Sequence, residues 1–117
     1  MTQGREGALE LGDQHFAMRS ERVNGSERIR MLGELDLSVI GLVDREMERA
    51  EAGDASQIIL DLEELEFLDA SGIRLLLHLN ERSQSSGGRL RICGSCAPQV
   101  QRVIELTGAD ELLPFEK

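Results

Sequence analysis

The 117-residue chain contains no tryptophan and no tyrosine, and its three phenylalanines are its only aromatics. Its core must therefore be built from Leu, Ile, Val and Met, and it offers no stacking platform for bases or sugars. Lysine occurs only at position 117. No glycine-rich loop runs into a lysine and no Gly-x-Gly-x-x-Gly opens a helix, so both nucleotide-binding fingerprints are absent. No run approaches the roughly 20 apolar residues that span a bilayer. The first residues, Met1 to Gly7, lack the apolar stretch of a secretory signal. These absences lead us to expect a cytoplasmic protein with no membrane association. Two cysteines, Cys93 and Cys96, are too few for a disulfide framework. The only histidines are His15 and His78. His78 lies about 10 Å beyond Ser71 along a helix, too far to activate that hydroxyl, and His15, in the first strand, could approach it only by accident of folding. The sequence thus reads as a non-enzyme.

Acidic residues outnumber basic ones 22 to 13, a formal net charge of −9. A field of that sign repels nucleic acid and anionic lipid. It suits a less acidic protein partner, and it suits plain solubility equally well. Apolar residues make up 40% of the chain, enough for the single core that this length allows.

Residues 1–13 are glycine-rich and polar without periodicity, and read as a flexible N-terminal tail. From Gln14 to Leu35 the pattern is a hairpin. Phe16 and Met18 alternate with polar neighbours, as do Ile29 and Met31, and Asn24-Gly25 between them suits a type I′ turn. A first helix is expected over Leu37–Glu51, with Ile40, Val43, Met47 and Ala50 on one face. A buried strand follows over Gln57–Leu62, then an acidic loop, then a helix starting near Ser71. That helix fades into Ser83-Gln84-Ser85-Ser86-Gly87-Gly88. Leu90-Arg91-Ile92 is a short strand, and Val100, Val103, Ile104 and Leu106 mark a third helix ended by Gly108. Leu112 to Phe115 close the domain as strand or coil. Strands joined through helices imply a parallel portion of sheet. The fold class is therefore α/β, a mixed sheet carrying an N-terminal hairpin, with helices packed on it.

Two places could carry chemistry. Asp69 stands as N-cap of the second helix, which puts the Ser71 hydroxyl in its first turn. Free N–H groups and the positive end of the helix dipole there favour a phosphate. Alternatively, Asp69 and Ser71 do no more than cap the helix. The Cys93-Gly94-Ser95-Cys96 pair follows a strand and precedes a helix, where a thiolate could be stabilised. The competing reading is two small packing residues at a turn, since no second pair completes a zinc site.

Gly33-Glu34-Leu35-Asp36, Leu60-Asp61-Leu62 and Phe67-Leu68-Asp69-Ala70-Ser71-Gly72 together resemble the STAS domain. Within that family the chain looks most like the bacterial anti-sigma factor antagonists, and the likeness runs from about Gln14 to the end. The resemblance implies a 14–117 STAS domain that works by partner switching. The unphosphorylated antagonist binds an anti-sigma factor that is itself a serine kinase, and so frees a sigma factor for transcription. Phosphorylation of the serine before the glycine, here Ser71, ends binding, and a phosphatase restores it. Asp36, Asp69, Ala70, Gly72 and Ile73 match the motif positions and are the implied partner-binding residues. Ala70 stands where many relatives have Ser or Thr, leaving Ser71 the motif's only hydroxyl. The kinase supplies nucleotide and metal, so no cofactor is expected of this chain. Two alternatives stay open: a STAS scaffold or transporter-associated module without phosphorylation, and a redox-responsive module using Cys93 and Cys96.

Overall fold

A computed structural model of the chain describes the backbone of residues 9–12 and the whole of residues 15–116. Asn24 and Gly25 take positive φ values of 51° and 84°, the left-handed pair that a tight hairpin turn needs. They join β2 (Phe16–Val23) to β3 (Ser26–Leu35), antiparallel in the register Phe16↔Gly33 to Val23↔Ser26. The alternation expected from sequence holds. Phe16, Met18, Ile29 and Met31 are buried, while Arg19, Arg28 and Arg30 occupy the other face, as the period of two requires.

After β3 a 3-10 turn over Leu37–Val39 leads into α1 (Ile40–Glu51). The chain continues through β4 (Ile58–Asp61), β5 (Leu65–Leu68), α2 (Ala70–Gln84), β6 (Leu90–Cys93) and α3 (Pro98–Leu106). β4 lies parallel between β3 and β6. Val43 and Met47 of α1, Leu76 and Leu79 of α2, and Val100 and Ile104 of α3 join the buried sheet residues in one core. A closing segment borders β6, where Phe115 bridges Ile92 in parallel.

Two expectations need correction. Part of the segment read as a loose tail is a strand, β1 (Leu9–Gly12), which pairs antiparallel with β2 from Leu9↔Ser20 to Gly12↔Ala17. An edge strand is held by backbone hydrogen bonds, so four residues suffice without a long apolar pattern. The other tail residues, and Gln14, fall outside the described ones. The acidic loop after β4 is also partly strand: β5 pairs parallel with the end of β3, as Glu34↔Phe67 and Leu35↔Leu68. Its signal was masked because Leu65 and Leu68 are buried while Glu66 and Phe67 face out, which is not strict alternation. A bulge between Gly33 and Glu34 lets β3 pair first with β4 and then with β5. Gly33 sits there at φ 92°, with its α-carbon against the His15 carbonyl, where a side chain has no room.

At the start of β3 the sheet buries charge. Glu27 and Glu46 are both buried, and Arg49 joins them. Its Nη2 donates to Glu46 Oε2 at 2.6 Å and to Glu27 Oε2 at 2.7 Å, and the Ser20 hydroxyl donates to Glu27. Burial by itself would raise the Glu27 carboxyl, but the hydrogen bonds from Ser20 and Arg49 outweigh it and hold the group below the usual 4.5. Its stabilising contribution is therefore present above the unfolded value near 4.5 and is lost as pH falls through the folded one. Arg49→Met should cost about 2–3 kcal/mol at pH 7, less than for a fully enclosed pair because solvent reaches the guanidinium. Denaturant unfolding at pH 7 and pH 4 checks this. The gap between variant and wild type should narrow in acid, as the stabilisation Glu27 draws from Arg49 is lost.

Candidate functional site

The β3–β5 pairing builds the site. Leu35 and Leu68 face one another in register and are both fully buried. The next residue on each strand is an aspartate, so Asp36 and Asp69 stand at neighbouring strand ends. Each turns its carboxylate onto the helical turn that follows. Asp36 accepts from the Ser38 N–H at 3.0 Å and the Ser38 hydroxyl at 2.6 Å. Asp69 accepts from the Gly72 N–H at 3.1 Å. These are N-caps, satisfying donors that the helix itself leaves open. The Ser38 hydrogen bonds, with His15 nearby, hold the Asp36 carboxyl below its ordinary value.

Ser71 does not share the capping work. It is half-buried in the first turn of α2, and its hydroxyl makes no hydrogen bond among the described residues. The two sequence readings thus separate: Asp69 is the cap, and Ser71 presents an unclaimed hydroxyl. Gly72 explains how the helix start comes so close to the sheet. A β-carbon there would overlap Leu68 Cδ1 and lie 3.1 Å from the Leu35 carbonyl oxygen. Of the expected partner-binding residues, Ala70 is exposed and Asp69 partly so. Gly72 and Ile73 correct that expectation. Both are buried, Ile73 to 4% exposure, because positions three and four of the helix face the sheet.

Around Ser71 the surface is more apolar than the sequence suggested. Leu37 is 74% exposed and Phe67 45%, each within two residues of a capping aspartate. Leu37, Ile40, Ser71 and Leu75 line a shallow groove of about 270 Å³ between α1 and α2, with Asp44, Arg74 and His78 also on its walls. The sequence pattern placed Leu37 inside the first helix and Ile40 on its apolar face, but did not show their position beside Ser71. Leu37 instead lies in the 3-10 turn that precedes α1. His15, expected to be remote, reaches Asp36 instead, with Nε2 at 3.7 Å from Oδ2 and 3.4 Å from Ser38 Oγ. Both contacts use the same ring nitrogen. A base relay needs its carboxylate and its nucleophile on different nitrogens, so this cluster is not one.

Cys93 ends β6 opposite Asp61 of β4. Neither Cys93 nor Cys96 is in a disulfide. Burial pushes both thiols up, and the Asp61 charge adds to it; at Cys93 the Arg28 guanidinium opposes without prevailing. Arg28 is itself bound to Asp61 at 2.6 Å. Among the described residues no three His, Cys, Asp or Glu side chains are grouped to hold a metal ion, and no helix is long and apolar enough to cross a membrane.

A mixed sheet with capped helix starts gathered at one edge, with the Ser71 hydroxyl beside exposed apolar residues, describes a small α/β domain. The STAS domain profile matches residues 20–117, and the chain belongs to the STAS family. An anti-sigma F factor antagonist from Paenibacillus polymyxa is 29% identical over 102 residues, 86% of each chain. The crystal structure of an anti-sigma factor antagonist from Mycobacterium paratuberculosis shares the fold with a TM-score of 0.76. Its identity is 22%, over 92% of this chain and 89% of that one. The anti-sigma factor antagonist SpoIIAA in its unphosphorylated form gives a TM-score of 0.69 at 25% identity, over 86% of this chain and 88% of that one.

Two measurements test this geometry. Ser71→Ala should leave stability within about 0.5 kcal/mol of wild type, since no bond is lost, whereas Gly72→Ala should cost about 1–3 kcal/mol by overpacking. A Ser71→Ala loss as large as a missing cap would show that the hydroxyl is structural. The thiols should alkylate with iodoacetamide at pH 7 more slowly than free cysteine, and alkylation should speed up on unfolding.

Proposed function

We propose that this chain is an anti-sigma factor antagonist whose binding to a serine-kinase anti-sigma factor is switched off by phosphorylation of Ser71. The observation that carries this reading is the Ser71 hydroxyl itself, half-buried at the start of α2 and bonded to nothing among the described residues. The name of the Paenibacillus relative supports the role. Exposed Leu37, Phe67 and Ala70, with Asp36 and Asp69 between them, form the contact surface.

The reaction makes the chain substrate rather than catalyst. Ser71 Oγ attacks the γ-phosphorus of ATP held by the partner. A bond to Oγ forms, the bond to the β-phosphate oxygen breaks, ADP leaves, and the hydroxyl proton passes to a base on the kinase. A phosphatase would reverse the modification with water, giving back the hydroxyl and inorganic phosphate. The phosphate brings about −1.5 to −2 charge into a groove that must be desolvated when a partner covers Leu37 and Ile40. Burying that charge against an apolar contact disfavours the complex, and a loss of ~3 kcal/mol weakens it roughly a hundredfold. The fold need not change, because an anion at a helix start is favourable. The raised thiols of Cys93 and Cys96 argue against a redox role.

Incubation with ATP and candidate anti-sigma kinases, followed by mass mapping, tests the proposal. One phosphate should appear on Ser71. Ser71→Ala should stay unlabelled while still binding the kinase, and Ser71→Glu should bind more weakly. Label on Ser38, Ser83 or Thr107 with Ser71→Ala still modified would refute the assignment. Asp36→Ala should lower kinase affinity more than it lowers the melting temperature; the reverse would reduce Asp36 to a cap.

A further inference from the structure

We propose that Arg74 is the counter-ion of a phosphate on Ser71, its guanidinium folding back along α2 to bind the phosphate oxygens. The inference rests on Ser71 being the modified residue. Ser71 and Arg74 line the same groove and are three residues apart on one helix, which makes them surface neighbours. Long side chains on a helix lean toward its N-terminus, so the Arg74 chain is directed over the turn that holds Ser71. Its planar fork matches a phosphate with two parallel hydrogen bonds.

Arg74 is also available. It is exposed and makes no hydrogen bond or ion pair among the described residues. The carboxylate that shares its groove, Asp44 on α1, is already held by Arg82, Nη1 to Oδ1 at 3.0 Å. The two capping acids are engaged as well: Asp36 with Ser38 and His15, Asp69 with the Gly72 N–H. His78 lies on the groove wall four residues past Arg74, about 10 Å from Ser71 along the axis. It is out of reach of the phosphate. Among the described residues the groove therefore holds one uncommitted guanidinium, and it stands next to the hydroxyl where the anion would form.

The test inserts phosphoserine at position 71 during translation, so that no kinase is needed, and follows the second phosphate ionisation by phosphorus NMR. That ionisation ordinarily lies near 6. It should be depressed in the wild type, and Arg74→Gln should raise it by about half a pH unit or more. Arg74→Lys should fall between the two, and His78→Gln should follow the wild type. Arg74 and its solvent-facing variants leave the core untouched, so all should fold. Coincident titrations of wild type and Arg74→Gln would overturn the proposal, attributing any depression to the helix terminus alone. Failure of kinases to label Ser71 would instead refute the phosphoswitch, because the inserted phosphoserine reports on Arg74 regardless.

Discussion

The register that sets Leu35 opposite Leu68 governs the functional edge of this domain. Both leucines are buried, and Gly72 has no side chain to hold α2 away from them. The helix start therefore seats directly on the paired strand ends. Asp36 and Asp69 come side by side as a result, each spent on a cap, and Ser71 is carried two residues past the Asp69 cap with its hydroxyl unclaimed among the described residues. Leu37 and Phe67 emerge close by: Phe67 precedes the buried Leu68 and Leu37 follows Asp36 at the end of β3. Without β5, Ser71 would hang from an unsupported acidic linker.

A buried charge cluster and the Ser71 edge occupy opposite ends of β3. Glu27, at its start, belongs to the buried cluster that Arg49 and Ser20 neutralise. Asp36, just beyond its end, belongs to the exposed edge. Eight residues of strand lie between them, nine steps of rise or roughly 30 Å, several times the ~8 Å screening length at physiological salt. Charge added at Ser71 is thus screened from the network that ties α1 to the sheet. A second set of pairs, Arg82 with Asp44 and Glu51, joins α1 to α2. It fixes the two walls of the groove and keeps Asp44 from competing for Arg74. An acidic chain can in this way keep an arginine free beside its serine.

Much of the architecture was legible because local chemistry dictated it. Asn24-Gly25 tolerates positive φ, so the hairpin turn could be placed. Phe16, Met18, Ile29 and Met31 repeat every second residue, and Val43, Met47 and Ala50 recur at helical spacing, so each element declared its buried face. The Ser71 site could be read because an aspartate two residues ahead of a serine marks a helix start. β1 and β5 escaped for a shared reason: four-residue strands held by backbone hydrogen bonds need no long side-chain pattern. The burial of Ile73 was not legible because a motif names residues without saying which side of the helix meets the sheet.

The amino-acid order by itself determined the α/β class, the hairpin, the three helices and the candidacy of Ser71, since turn chemistry and apolar periodicity act over a few residues. Only the tertiary structure decided that Asp69 caps while Ser71 does not, that His15 meets Asp36 rather than Ser71, and that Arg74, uncommitted among the described residues, shares a groove with it. Those outcomes depend on which strand ends meet and which charges are already paired. Such facts arise between residues far apart in the chain, when a single core brings them together.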